Sequence, residues 1–109
     1  MAHQKYADTI HVLHKCMEAC NHCYDACLKE DEIDMMRDCI RLDRECADMC
    51  GFLEQALIRD TPFAAQLAKV CADICEACGM ECRKHDHDHC QQCADACFRC
   101  MEACRELAA

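Results

Sequence analysis

The chain has 109 residues, 16 of them cysteine, and sets 12 Lys and Arg against 21 Asp and Glu for a formal charge of −9. That charge argues against nucleic acid or an anionic membrane as a partner, since both reward Lys and Arg, and no apolar run is long enough to span a bilayer. With only two glycines and one proline in a chain rich in Ala, Glu, Leu and Met, the composition predicts nearly continuous helix in a single domain, residues 1–109.

The first helix is expected from Gln4 to Leu28. Tyr6, Ile10 and Leu13 precede Cys16, Cys20, Cys23 and Cys27 on one face, so the apolar stripe turns to sulfur partway along. A polar link at 29–34 follows, with Asp31 or Asp34 as cap. The second helix, Met35 to Ile58, turns Met36, Cys39, Cys46, Cys50, Leu53 and Leu57 inward. Either Leu42 or Asp43 joins them, Asp43 sharing the phase of Cys50 and Leu57. Gly51 sits inside this helix, which suits close helix approach. A boundary at 59–62 follows, with Asp60 or Thr61 as N-cap and Pro62 at the first helical position. The third helix carries Phe63, Leu67, Cys71, Cys75, Cys78 and Cys82. The stretch KHDHDH at 84–89 interrupts the pattern, and Asp88 with Gln91 fits a capping box before the fourth helix, which carries Cys90, Cys93, Cys97, Cys100 and Cys104 and closes on Leu107.

Four helices with short links predict an all-α fold: an up-down-up-down antiparallel four-helix bundle with a cysteine-lined core. The 29–34 and 84–89 links then share one end, the mouth. Tyr6, Ile10, Leu13, Leu53, Leu57, Phe63, Leu67 and Leu107 form an apolar plug at the other. Cys27, Cys39, Cys82 and Cys90 fall nearest the mouth, and Cys16, Cys50, Cys71 and Cys104 nearest the plug. At 1.5 Å per residue the sulfur section is about 15–20 Å long.

Cysteines in such register are poor packing material and an oxidation hazard unless they bind something. Disulfides within one helix are disfavoured, because i, i+4 positions place Cβ atoms about 5–6 Å apart against the roughly 3.8 Å that the bond wants. With no export signal at the N-terminus the expected setting is the cytosol, whose reducing poise disfavours bridges between helices as well. Soft thiolates select Cu(I), Zn(II) or iron–sulfur clusters. Four tetrahedral Zn(II) ions would leave 16 thiolates with a buried charge of −8, which is costly, whereas Cu(I) at about one per thiolate leaves the core near neutral. Iron–sulfur clusters want wrapping loops, a di-iron site wants Glu-x-x-His pairs, and the chain contains no serine for a Ser/His/Asp triad. The chain therefore reads as a non-enzymatic binder of multiple Cu(I) ions. A metallothionein-like Zn(II) or Cd(II) buffer and a thiol redox protein are the alternatives.

The mouth adds other donors. His85 continues the third helix's stripe beyond Cys82, His87 and His89 lie just before the fourth helix, and Met35 and Met36 begin the second. These are either intermediate Cu(I) ligands that hand ions inward or a solvated loop. Asp43 is either a minor ligand in the bore or turned outward. His3, His11, His14 and His22 read as surface residues.

The C-x3-C-x2-C-x3-C runs on helices one and three, the C-x2-C-x3-C-x2-C-x3-C run on helix four, the sparser second helix and the His-bearing link resemble the bacterial four-helix-bundle copper storage proteins, in particular their cytosolic class. The resemblance spans the whole chain and implies storage of many Cu(I) ions, a stable metal-free fold and a homotetramer. The exported class carries a twin-Arg signal that this sequence lacks. Off-stripe Met49, Phe52, Ile74, Phe98 and Met101 either serve that assembly or seal neighbouring helices.

Overall fold

A computed structural model describes residues 2–109, with the side chains of Ala2 and His3 excepted, so the surface reading of His3 lies outside the described residues. A single helical turn, Ala2–Lys5, is offset at Tyr6 (φ −109°) from the long helix α1, Ala7–Leu28. A 3-10 turn, Ile33–Met36, leads into α2, Arg37–Ile58; α3 spans Ala64–Arg83 and α4 spans Asp88–Ala108. Each helix packs on its sequence neighbours, and α4 closes the square onto α1. Among the described residues, the diagonal pairs make no close backbone approach. The bundle measures 47 × 20 × 17 Å.

The space along the diagonals is filled by sulfur. All 16 cysteines are 0% exposed and unbridged, and among the described residues the large apolar side chains fully buried beside them are only Leu13, Met36, Leu53 and Leu57. Small residues let the backbones close around this narrow core. A Cβ on Gly79 would stand 3.0 Å from the Phe98 ring, which fixes the approach of α3 to α4. A Cβ on Gly51 would stand 3.2 Å from Met17 Sδ, so the expected tight contact at that glycine is with α1.

The plug is smaller than expected. Leu13, Leu53 and Leu57 are buried and Tyr6, Ile10, Leu67 and Leu107 pack partly against them, but Phe63 is 58% exposed because it precedes α3 instead of opening its inward stripe. Of the off-stripe apolar residues, Met49, Ile74, Phe98 and Met101 pack against the core, while Phe52 faces outward. His11, His14 and His22 are exposed.

The helix ends depart from the expected caps. Asp60 is not an N-cap: it takes the left-handed conformation (φ 57°) just past α2, where its N–H donates to Leu57 O and that of Thr61 to Ala56 O, the paired bonds of a Schellman ending. Pro62 consequently lies in the turn and α3 starts two residues later, with Thr61 Oγ1 accepting from Phe63 N at 3.1 Å. Neither Asp31 nor Asp34 caps α2; Asp34 instead pairs with Arg37. The Asp88/Gln91 capping box is also absent. Gln91 Nε2 donates to Arg83 O and His85 O, so it satisfies the end of α3 and not the start of its own helix.

Candidate metal-binding core

The alternating three- and four-residue spacing holds every thiol on the inner stripe of its helix, and the square cross-section brings the four stripes together. Four sulfurs that all lie within 4.8 Å of one another recur along the axis: Cys23, Cys27, Cys39 and Cys90; Cys20, Cys78, Cys93 and Cys97; Cys16, Cys20, Cys46 and Cys97; Cys16, Cys46, Cys50 and Cys75; Cys50, Cys71, Cys75 and Cys100. From the second of these quartets inward, each shares members with the next, so the sulfurs form a column of linked sites. Cys82 Sγ lies 3.3 Å from Cys39 Sγ, and Cys104 is buried beyond Cys100 at the plug end.

The spacing already suits a metal–thiolate network. With bonds of about 2.3 Å, three sulfurs around one ion stand about 4.0 Å apart and four about 3.8 Å. The observed separations include 3.7 Å for Cys20–Cys93 and Cys46–Cys75, 3.8 Å for Cys27–Cys39 and Cys50–Cys75, and 4.0 Å for Cys50–Cys71. Loading therefore requires little backbone movement.

Two non-sulfur groups enter the column. Asp43, not Leu42, faces inward and is the one buried charged residue among those described. Its Oδ1 accepts from Cys78, Cys82 and Cys93 at 3.3, 3.4 and 3.4 Å, and its Oδ2 from Cys39 at 3.7 Å. Burial, reinforced by negative charge on Cys93 and Cys39, pushes its pKa up to about 9, so the carboxyl is protonated at neutral pH. Burial likewise pushes the Cys90 thiol up to about 12, with charge on Cys39 adding to it.

The three mouth histidines are placed differently from one another. His89 reaches the thiols: its Nδ1 is 3.4 Å from Cys23, 3.5 Å from Cys90 and 3.9 Å from Cys27. His87 stacks on the outer face of that ring at 5.2 Å and is half-exposed. His85 pairs with Glu81 at 2.9 Å and lines an outer cleft of about 430 Å³ with Met35, Met36 and Asp86. Within that group Met36 is buried and Met35 is 64% exposed. Sequence reasoning passed over Glu30, whose Oε2 lies 2.8 Å from His89 Nε2 and whose pKa is held below the ordinary carboxylate value by that hydrogen bond. It is one of four acidic residues in a six-residue link, and a link has no periodicity by which to single one out.

A bundle whose core is a run of linked sulfur quartets defines a class: helical proteins that take up soft metal ions in the interior instead of at a surface loop. The chain belongs to the copper storage protein family, whose model matches residues 2–109. It is 58% identical over 94 residues to the uncharacterized cysteine-rich protein YhjQ of Bacillus subtilis, covering 86% of this chain and 87% of that protein. Among solved structures, the Cu(I)-bound copper storage protein BsCsp3, from Bacillus, is 54% identical with a TM-score of 0.92, over 95% of this chain and 98% of that one. A cytosolic copper storage protein from Streptomyces lividans, in a copper-loading structure with five coppers, is 38% identical with a TM-score of 0.92, over 98% and 94% of the respective chains.

Proposed function

We propose that this protein stores and sequesters Cu(I) in the cytosol, binding multiple ions through all 16 cysteines, with Asp43 and the mouth histidines His85, His87 and His89 as auxiliary donors. The observation that carries this reading is the column itself: 16 sulfurs, all fully buried and nearly all at metal-bridging separations. Monovalent copper is the cargo because each ion that enters replaces one thiol proton, so the interior stays near neutral throughout filling. Divalent zinc at four thiolates per ion would accumulate negative charge in a core with no buried cation among the described residues to offset it.

The arrangement also supports an order of events. His89 and the outer quartet take the first ions, since Nδ1 and three sulfurs there converge at the mouth. Asp43 contributes an oxygen one layer further in, and the sulfur-only quartets fill behind it. The protein is not an enzyme in this reading; it holds ions and converts nothing. The Streptomyces lividans relative, a cytosolic copper storage protein, supports the location. A homotetramer, with outward-facing Phe52 and Ile58 available for burial, is proposed with it.

Separate titrations of the reduced protein with Cu(I) and Zn(II) test the reading. Storage predicts about one Cu(I) per thiol with helix content unchanged, and weak uptake of zinc. Saturation by about four Zn(II) ions, with copper bound no more extensively, would favour the metallothionein-like buffer.

A further inference from the structure

One carboxylate oxygen joins both histidines that stand over the outer quartet. Glu30 Oε2 accepts the hydrogen bond of His89 Nε2 at 2.8 Å and lies 3.4 Å from His87 Nδ1, and the two rings are stacked at 5.2 Å with an interplanar angle of 5°. A neutral imidazole has one N–H and one lone pair. When a carboxylate takes the Nε2–H, the lone pair is left on Nδ1, and this is the nitrogen that faces Cys23, Cys90 and Cys27. In the opposite tautomer His89 would point a proton at the site where a cation must bind. The bond also ties the end of α1 to the start of α4 across the mouth, and α1 contributes Cys23 and Cys27 to the layer that α4 completes with Cys90.

We propose that Glu30 is the positioning residue of the outermost site: it holds His89 in the Nε2–H tautomer and aims Nδ1, as a lone-pair donor, at the point where an arriving soft cation meets the first three sulfurs. The role rests on the storage reading. Glu30 touches no ion itself; it acts through His89, as second-layer carboxylates do where they orient histidine ligands. His87, stacked behind the ring, limits its rotation.

The test has two readouts. The tautomer of His89 is read from its ring 15N shifts in the reduced, metal-free protein, above the ordinary titration range of imidazole, and the rate of uptake of the first equivalent is read with a chromophoric Cu(I) chelator as donor. Wild-type protein is expected to show unprotonated Nδ1. Glu30→Ala should give mixed tautomers and slow the first equivalent by about tenfold without changing the final ion count. Glu30→Gln, whose amide oxygen still accepts from Nε2, should restore both. The proposal is overturned if His89 in Glu30→Ala keeps the wild-type tautomer, if first uptake is unchanged, or if Glu30→Gln behaves like the alanine variant. A wild-type protein that saturates after a few ions would sink the storage reading while leaving the tautomer result standing.

Discussion

The two ends of the sulfur column are built from different chemistry. Toward the mouth, Cys23, Cys27, Cys39 and Cys90 share their layer with the Nδ1 of His89, and Asp43 receives Cys39, Cys78, Cys82 and Cys93 just below. Toward the plug, Cys50, Cys71, Cys75 and Cys100 meet further sulfurs, among them Cys16 and Cys46, and then Leu53 and Leu57. Nitrogen and oxygen hold a soft cation less firmly than sulfur, so they suit the end where ions change ligands. Uniform sulfur suits the end where ions remain. In the proposed function, one fold separates exchange from retention along a single axis.

Loading should produce the largest effect. Filling the column crosslinks all four helices through a core that has only a few large apolar side chains, so the fully loaded protein should melt on the order of 20 °C above the metal-free one. Calorimetry of the two forms measures this, and stripping the copper with a strong chelator should return the lower transition. The plug comes next. Leu57→Ala should cost the metal-free protein about 3 kcal/mol, through lost burial and the cavity left behind, while leaving the ion count unchanged. Chemical denaturation and a metal titration of the same sample separate the two effects.

The exchange end is sharpened by pH. Asp43 has its folded-state pKa raised from 3.8 to about 9. Its contribution is therefore most favourable below the unfolded value, and stability is lost progressively as pH rises from about 4 toward 9. Metal-free wild type should lose stability relative to Asp43→Asn across that window, and melting temperatures of both proteins on a pH series read the difference. A gap that stayed constant from acid to alkaline pH would contradict a neutral, buried carboxyl. The smallest effect is expected at His87. Half-exposed, stacked on the His89 ring and 3.4 Å from Glu30, it should be replaceable by Ala within about 0.5 kcal/mol of stability, with slower uptake of the first ion and the thiol-bound ions retained.

Legibility in the sequence followed the same axis. The sulfur stripes and the plug leucines repeat every three or four residues, and periodicity is what a helix writes into its sequence. Asp43 was half legible: its phase matched Cys50 and Leu57, but an inward Asp beside an available Leu42 is decided only once four thiols surround it. The mouth was less legible because links carry no period. KHDHDH marked three histidines without showing that only His89 reaches sulfur, and Glu30 carried no mark at all. The caps misled for a related reason. Gln91 stands where a capping box needs it, yet its amide finds the carbonyls of Arg83 and His85, which no local pattern reveals.

The central claim is that each Cu(I) entering the core displaces a thiol proton, so that filling adds no net charge, which proton release tests most directly. Reduced protein in weakly buffered solution, titrated with Cu(I) at neutral pH, should release about one proton per ion with the ratio holding until the ions approach the number of thiols. Release well below one proton per ion, or a ratio that collapses after the first few additions, would mean that the thiols were already ionised or that most of them never bind copper.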